Sequence, residues 1–179
     1  MLEVISNRRS IRKYTDKPLE EDTLLKIIEA GVLAPSGSNT QPWHFIVIKS
    51  KEMREKVAKV SHNQSWMCSA PVYIVCVADL GSRVENSSKE FIDEQSSMEE
   101  VKQIIRDTSI SMDHMVLTAE SLGIGTCIVA WFRQEEIRPV LNIPSDKYVV
   151  SIITAGYSAE SPKPQKRKKA EDVLHYETW

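Results

Sequence analysis

Apolar side chains recur at helical spacing in several stretches of this sequence. Between residues 20 and 33 the apolar stripe begins after three acidic residues, whose negative charge favours the first turn of a helix. The longest stripe runs from Val101 to Leu122, and Gly123 follows it where a helix C-cap is expected. The pattern predicts helices over residues 2–7, 20–33, 51–60, 99–122 and 134–141.

Shorter apolar runs rich in β-branched residues predict strands. Residues 70–78 read APVYIVCVA, which is typical of a strand buried on both faces at the centre of a sheet. Residues 44–48 and 148–155 predict two further strands, and residues 126–132 form another short apolar run.

Polar segments separate these elements. Residues 34–42 are small, polar and bracketed by prolines, so we expect an exposed loop. Residues 80–98 are serine-rich and predict an excursion or lid rather than core. Residues 161–169 form a basic tail stiffened by prolines. Since neither a repeat nor a linker is visible, we predict one domain over residues 1–179.

Composition narrows the class of protein. The 179 residues are 41% hydrophobic and carry a net charge of −2, so a core is expected, and no overall field attracts nucleic acid or a membrane. The three cysteines lie in apolar surroundings without C-x-x-C spacing, which indicates core thiols in a reducing compartment. With no signal sequence and no long apolar span, we expect a cytoplasmic protein.

The densest candidate chemistry lies between Arg8 and Tyr14. Three arginines and a serine fall within five residues, at positions 8, 9, 10 and 12. Arginine presents a rigid fork of donors that matches phosphate oxygens, which makes phosphate the first candidate ligand. A solvated basic face at a helix end explains the cluster equally well from these residues alone.

Other motifs exclude common site classes. Gly123-Ile124-Gly125 lacks the third glycine of a dinucleotide fingerprint and follows a helix rather than a strand. It is either a helix cap with a tight turn or a backbone that something flat approaches closely. The histidines and cysteines lack metal-site spacing, and no G-x-S-x-G nucleophile motif is present. These absences, together with anion donors at both chain ends, suggest that a phosphorylated cofactor carries the chemistry.

Four ordered motifs resemble those of the FMN-dependent nitroreductase family. They are residues 8–14 (RRSIRKY), 34–45 (APSGSNTQPWHF), 119–127 (AESLGIGTC) and the pair Gly156-Tyr157. The resemblance covers essentially the whole chain. It implies an α+β fold in which a mostly antiparallel sheet is wrapped by helices, and an intertwined homodimer with FMN at the interface. Residues 173–176 would be the strand exchanged with the partner subunit, within a tail that spans residues 161–179.

The resemblance also implies the residues that hold FMN. Arg8, Arg9 and Ser10 would grip the phosphate, and Arg12 would face the pyrimidine edge of the ring. Lys166 and Arg167 match a second phosphate anchor, and Gln64 is a further candidate for the pyrimidine edge. A loop supplied by the other subunit would contribute Pro35, Ser36, Gly37 and Asn39. The segment whose backbone lies beside the reactive N5 would be Ile128, Val129, Ala130 and Trp131.

Two positions depart from the family pattern. Gly37 stands where many relatives have a second serine, and Lys169 replaces a proline that often follows the basic anchor. The first departure removes a hydroxyl contact that the resemblance would otherwise imply.

The implied activity is an oxidoreductase reaction. NADH or NADPH would reduce FMN, and an electron-poor acceptor such as a nitroaromatic or quinone would then take the same place, in a ping-pong sequence. No protein side chain is expected to act as catalytic acid, base or nucleophile, and no metal is expected. The alternatives are ene reduction, dehalogenation or flavin destruction within the family, or a non-catalytic flavin-binding, storage or regulatory dimer.

Overall fold

A computed structural model describes residues 1–179. The helices are α1 (Glu3–Asn7), α2 (Glu21–Val32), α3 (Lys51–Val60), α4 (Glu99–Ser121) and α5 (Gln134–Leu141). The strands are β1 (Trp43–Ile48), β2 (Val72–Asp79), β3 (Gly125–Val129) and β4 (Lys147–Gly156). All predicted helices and strands are therefore present, with bounds that differ by a few residues.

The four strands form one antiparallel sheet in the order β1-β2-β4-β3. β2 is an interior strand, and its side chains from Val72 to Ala78 are all buried, which confirms the prediction from its uniform apolar run. Ile74 and Cys76 pack with Met112 and Met115 from α4, whereas Tyr73 and its neighbours on the opposite face belong to a second cluster that includes α3 and α5 residues. Helices therefore cover both faces of the sheet.

The segment after α1 runs beside β3 and explains one of the glycines. Ser10 forms a parallel bridge with Thr126, and the Ile11 N–H donates to the Thr126 carbonyl at 2.9 Å. A Cβ on Gly125 would lie 2.8 Å from Ile11 Cγ1, so the glycine permits close approach of the protein's own chain. Gly123 has φ +72° and ends α4 as the predicted cap.

Residues 80–98 leave the sheet as predicted, but they are not wholly outside the core. Leu80 and Ile92 are fully buried. Ser87 Oγ donates to Asp146 Oδ2 at 2.8 Å, and Arg138 Nη1 donates to the Ile92 carbonyl at 2.7 Å. These contacts anchor the segment at several points, and its role as a lid stays a prediction.

The tail lies largely on the surface. After β4 the chain is pinned at Ala159, whose N–H donates to the Lys13 carbonyl at 2.9 Å. From residue 163 onward all side chains are exposed, and the only regular structure is one turn of 3₁₀ helix at Ala170–Asp172. Residues 173–176 pair with no strand of their own chain. None of the helices combines the length and the apolar character that a membrane-spanning segment requires.

Candidate functional site

The arginines near the start of the chain and the tail near its end line one small cleft. Its volume is about 160 Å³. We call it the basic cleft, and it is lined by Arg8, Arg9, Ser10, Arg12, Pro162, Lys163, Gln165 and Arg167. No acidic side chain belongs to this lining. The structure thus brings the neighbours Arg8, Arg9, Ser10 and Arg12 together with Arg167, which lies about 155 residues further along the chain.

Local hydrogen bonds orient the first wall of the basic cleft. α1 ends at Asn7, and the Arg8 N–H donates to the Val4 carbonyl at 3.1 Å as the cap of this short helix. Arg9 Nη1 donates to the carbonyls of Ser6 and Arg8, each at 2.8 Å, which holds its guanidinium close to the backbone. The parallel bridge at Ser10 then aligns this wall with β3.

Glu160 attaches the second wall to the first. Its Oε1 atom accepts hydrogen bonds from the Arg12 N–H at 2.5 Å and from the Lys13 N–H at 3.1 Å. The carboxylate is therefore bound to backbone donors and forms no ion pair with the guanidiniums. Because residue 160 is fixed here, the chain that follows passes over Arg8 and Arg12, and Lys163 and Arg167 come to face them.

The cations of the basic cleft have no acidic partner. None of Arg8, Arg9, Arg12, Lys163 and Arg167 forms a salt bridge. Like charges gathered in one cleft repel one another, and a bound anion relieves that repulsion. The donor set of guanidiniums and one hydroxyl fits the oxygens of a phosphate monoester.

A chain of contacts extends from Arg12 to the predicted residue Gln64. The Arg12 guanidinium lies over the Trp66 ring, 5.7 Å from its centroid. Trp66 Nε1 donates to Gln64 Oε1 at 3.3 Å, and Gln64 Nε2 donates to the Ser61 carbonyl at 3.0 Å. Gln64 therefore lies on the Arg12 side of the site, although it does not line the basic cleft itself.

The end of β3 presents exposed apolar side chains. Ile128 is 47% exposed and Trp131 is 64% exposed, while Val129 is buried and Ala130 is exposed. The Trp131 indole stacks on the His62 ring with centroids 4.3 Å apart, and His62 Nδ1 lies 3.1 Å from the Trp131 carbonyl oxygen. An open aromatic surface therefore follows the strand.

Cys127 lies in β3 beneath the first wall as a buried thiol. Burial raises the pKa of the Cys127 thiol, and the nearby Arg12 guanidinium only partly opposes this effect. Cys76 is also buried, Cys68 is half-buried, and all three cysteines are free thiols. The prediction of core thiols is confirmed for Cys76 and Cys127.

The remaining predicted residues lie away from the basic cleft. Pro35, Ser36, Gly37 and Asn39 belong to an exposed loop that does not line it, and Lys166 does not line it either. Lys163, Gln165, Glu160, Trp66 and His62 were not predicted from the sequence. Their places depend on tertiary contacts, and only the basic character of residues 161–169 gave any signal for Lys163.

Comparison with known proteins places these features in a family. Residues 5–66 and 59–157 match the sequence profile of the nitroreductase family. The chain is 34% identical to a candidate NADH dehydrogenase/NAD(P)H nitroreductase from Methanothermobacter thermautotrophicus. This match covers the whole chain and 87% of the relative. It is 30% identical to the FMN reductase (NAD(P)H) of Bacillus subtilis, in a match that covers the whole chain and 74% of that relative.

A solved structure gives the same assignment. The NADPH:FMN oxidoreductase from Vibrio harveyi, complexed with NAD⁺, superposes with a TM-score of 0.88 at 25% identity. The superposition covers 99% of this chain and 76% of the other. The sheet wrapped by helices, the basic cleft and these matches lead to one conclusion: the chain belongs to the nitroreductase family.

Proposed function

We propose that this protein is an FMN-dependent NAD(P)H oxidoreductase. The observation that carries the proposal is the basic cleft, where Arg8, Arg12 and Arg167 converge without an acidic partner. Relatives named as FMN reductase and NADPH-flavin oxidoreductase support the same cofactor and the same reductants. Cytoplasmic location and a single domain over residues 1–179 stay predictions from the sequence.

The residues of the basic cleft would divide the work of holding FMN. Arg8, Arg9 and Ser10 would bind the phosphate from one wall, and Arg167 with Lys163 would bind it from the other. Lys166 is the neighbouring cation on the tail. Arg12, supported by the Trp66 ring, would place a fixed positive charge toward the pyrimidine edge of the cofactor, with Gln64 behind it.

Bound FMN would supply the redox chemistry, taking reducing equivalents from NADH or NADPH and passing them to an electron-poor acceptor such as a nitroaromatic or a quinone. The chain's own contribution is to bind, orient and tune the charge around the cofactor. The backbone from Ile128 to Trp131 would border the reacting face. Since nicotinamide and acceptor would occupy the same open surface in turn, a ping-pong sequence follows.

The site is proposed to be completed in a homodimer. Val173, Leu174 and Tyr176 are 57%, 53% and 80% exposed, although they are apolar or aromatic. Apolar side chains are also exposed on α1, α2 and α4, among them Ile5, Leu25, Val32 and Ile110. A partner subunit that pairs with residues 173–176 would cover such surfaces and would supply the loop of Pro35, Ser36, Gly37 and Asn39.

Anaerobic reduction tests the proposed activity. The purified protein should be yellow, or become so with added FMN, and NADH or NADPH should bleach the flavin absorbance in the absence of oxygen. Nitroaromatics and quinones added afterwards should restore the absorbance, and the panel identifies the acceptor class. A protein that takes up no FMN would contradict the proposal, and one that binds FMN without reduction would be a flavin-binding store.

Truncation tests the dimer. Sedimentation should show a dimer for the whole chain, and a variant that ends at Lys169 should shift toward monomer while the basic cleft stays intact. A whole chain that sediments as a monomer would contradict the proposed exchange.

A further inference from the structure

The loop at residues 34–42 is held by two side chains from outside it. Asp107 Oδ2 accepts a hydrogen bond from the Gly37 N–H at 3.1 Å and one from Arg83 Nη2 at 2.9 Å. Arg83 Nη2 also donates to the Gly37 carbonyl at 3.0 Å. Both backbone polar groups of one residue are therefore bound by an ion pair. We call Arg83, Asp107 and Gly37 the Gly37 clamp.

The two charged members of the Gly37 clamp are largely buried. The Arg83 side chain is 14% exposed and the Asp107 side chain is 10% exposed. Asp107 lies in the middle of α4, and Arg83 follows the short 3₁₀ turn after β2. Asp107 is fixed by its place in a long helix, and its ion pair holds Arg83 in turn, so together they support the loop. Removing either one leaves the other as a buried unpaired charge.

The backbone that follows Gly37 is strained. Ser38, Asn39 and Gln41 have φ values of 53°, 54° and 46°. This left-handed region costs a residue other than glycine about 1 kcal/mol or more of conformational free energy. Because three of the four residues 38–41 adopt it, the loop needs support from outside. Within the loop, Ser36 Oγ accepts from the Gln41 N–H at 2.9 Å. The Gly37 clamp supplies the external support.

The identity of residue 37 follows from the arginine. A Cβ at this position would lie 2.6 Å from Arg83 Nη2, closer than such atoms approach in proteins. The guanidinium is held by two hydrogen bonds and cannot move aside without losing them. Glycine is therefore the residue that accommodates Arg83 at this position.

We propose that Arg83 and Asp107 are positioning residues that hold residues 36–39 in the conformation that contacts FMN. This inference rests on the proposed function, in which the loop reaches the flavin of the partner subunit. Neither side chain lines the basic cleft. The start of the 80–98 segment would thus act on the site through the loop, and the loop would be formed before FMN arrives, which lowers the ordering cost of binding.

Two measurements on the whole chain test this role. In R83A the FMN dissociation constant should rise about tenfold, because a loop that is no longer preorganised must be ordered on binding. Hydrogen exchange of the Gly37 amide in the absence of FMN should accelerate in R83A, since its acceptor Asp107 loses its partner. R83K keeps a charge for Asp107 and should recover part of both effects. K102A, which removes an exposed cation of α4, is the matched control and should change neither.

A double variant isolates the contact between Arg83 and residue 37. G37A should weaken FMN binding about tenfold in the wild-type background and less than about twofold in R83A, where the guanidinium that its Cβ would meet is gone. Equal losses in the two backgrounds would overturn the proposal. So would R83A with unchanged FMN affinity and unchanged Gly37 exchange, even if its melting temperature fell. A wild-type protein that takes up no FMN would instead overturn the proposed function, and with it the role of the Gly37 clamp.

Discussion

Two regions of this molecule use arginine in opposite ways. Arg8, Arg12 and Arg167 line the basic cleft, which has a volume of about 160 Å³ and no carboxylate in its lining. In the Gly37 clamp, Arg83 lies 2.9 Å from Asp107 and both side chains are mostly buried. The first arrangement leaves its cations available to a ligand, and the second uses its cation to hold the backbone.

The difference shows which charges serve binding and which serve structure. Removing one member of a buried ion pair destabilises the fold, because the remaining charge is left desolvated without a partner. Cations gathered in an open cleft without ion-pair partners contribute little to folding, so their loss has little effect on stability. A substitution in the basic cleft should therefore change ligand affinity alone. One in a paired network should lower stability, and it changes affinity only through the backbone that the pair holds.

The largest effect is expected from the double variant R8A/R167A. Each arginine would lose a charge-assisted phosphate contact of about 1.5 to 3 kcal/mol, so the FMN dissociation constant should rise more than about a hundredfold. Flavin fluorescence titration measures this. Riboflavin, which lacks the phosphate, should bind the variant and the wild type alike.

The control for this pair is K168A, which removes an exposed lysine next to Arg167 that does not line the basic cleft. It should bind FMN as the wild type does. Unchanged FMN affinity in R8A/R167A would show that the phosphate binds elsewhere and would remove the contrast between the two regions.

The second effect is on stability and comes from Asp146, another paired charge. Asp146 is 3% exposed, and its Oδ2 atom accepts hydrogen bonds from Lys147 Nζ and Ser87 Oγ, each at 2.8 Å. D146N should lower the free energy of unfolding by about 1.5 to 3 kcal/mol at pH 7, since it loses bonds to an ionised group. Urea denaturation measures this, and FMN affinity should stay unchanged.

The pH dependence of this loss follows from the pKa of Asp146. Burial acts to raise that pKa, but the hydrogen bonds from Lys147 and Ser87 outweigh burial and lower it. The stabilisation is therefore present above the ordinary pKa of aspartate, about 3.9, and is lost as pH falls through the lower value of the folded state. The difference between wild type and D146N should shrink below about pH 4. A difference that stays constant into acid would contradict this assignment.

The smallest effect is expected from R12Q. Arg12 would place its charge near the ring rather than the phosphate, so the substitution should lower the midpoint potential of bound FMN by tens of millivolts, where about 30 mV corresponds to 1.4 kcal/mol for two electrons. Spectroelectrochemical titration measures this. The neighbouring exposed cation gives the control K13Q, and equal potentials in R12Q and wild type would place the charge of Arg12 elsewhere.

Much of the fold could be predicted from local pattern. The helical stripe from Val101 to Leu122 and the uniformly apolar run of β2 identify the two elements around which the core is built. Such patterns can be recognised in the sequence because the burial of each side chain follows the periodicity of its own helix or strand. The 80–98 segment was harder to predict, since its buried residues Leu80 and Ile92 lie in a largely polar stretch and follow no helical or strand period.

The sequence by itself determined the elements of this protein, the cluster of arginines at positions 8, 9 and 12, and the family that the motifs resemble. Only the tertiary structure decided what those arginines face. The bonds of Glu160 to the backbone of Arg12 and Lys13 carry Lys163 and Arg167 to the other wall, and this pairing joins residues about 150 positions apart. Likewise, the need for glycine at position 37 is explained only by its close contact with Arg83. Long-range contacts of this kind leave no local period in the chain, because the chemistry of each partner is set by a neighbour that only folding supplies.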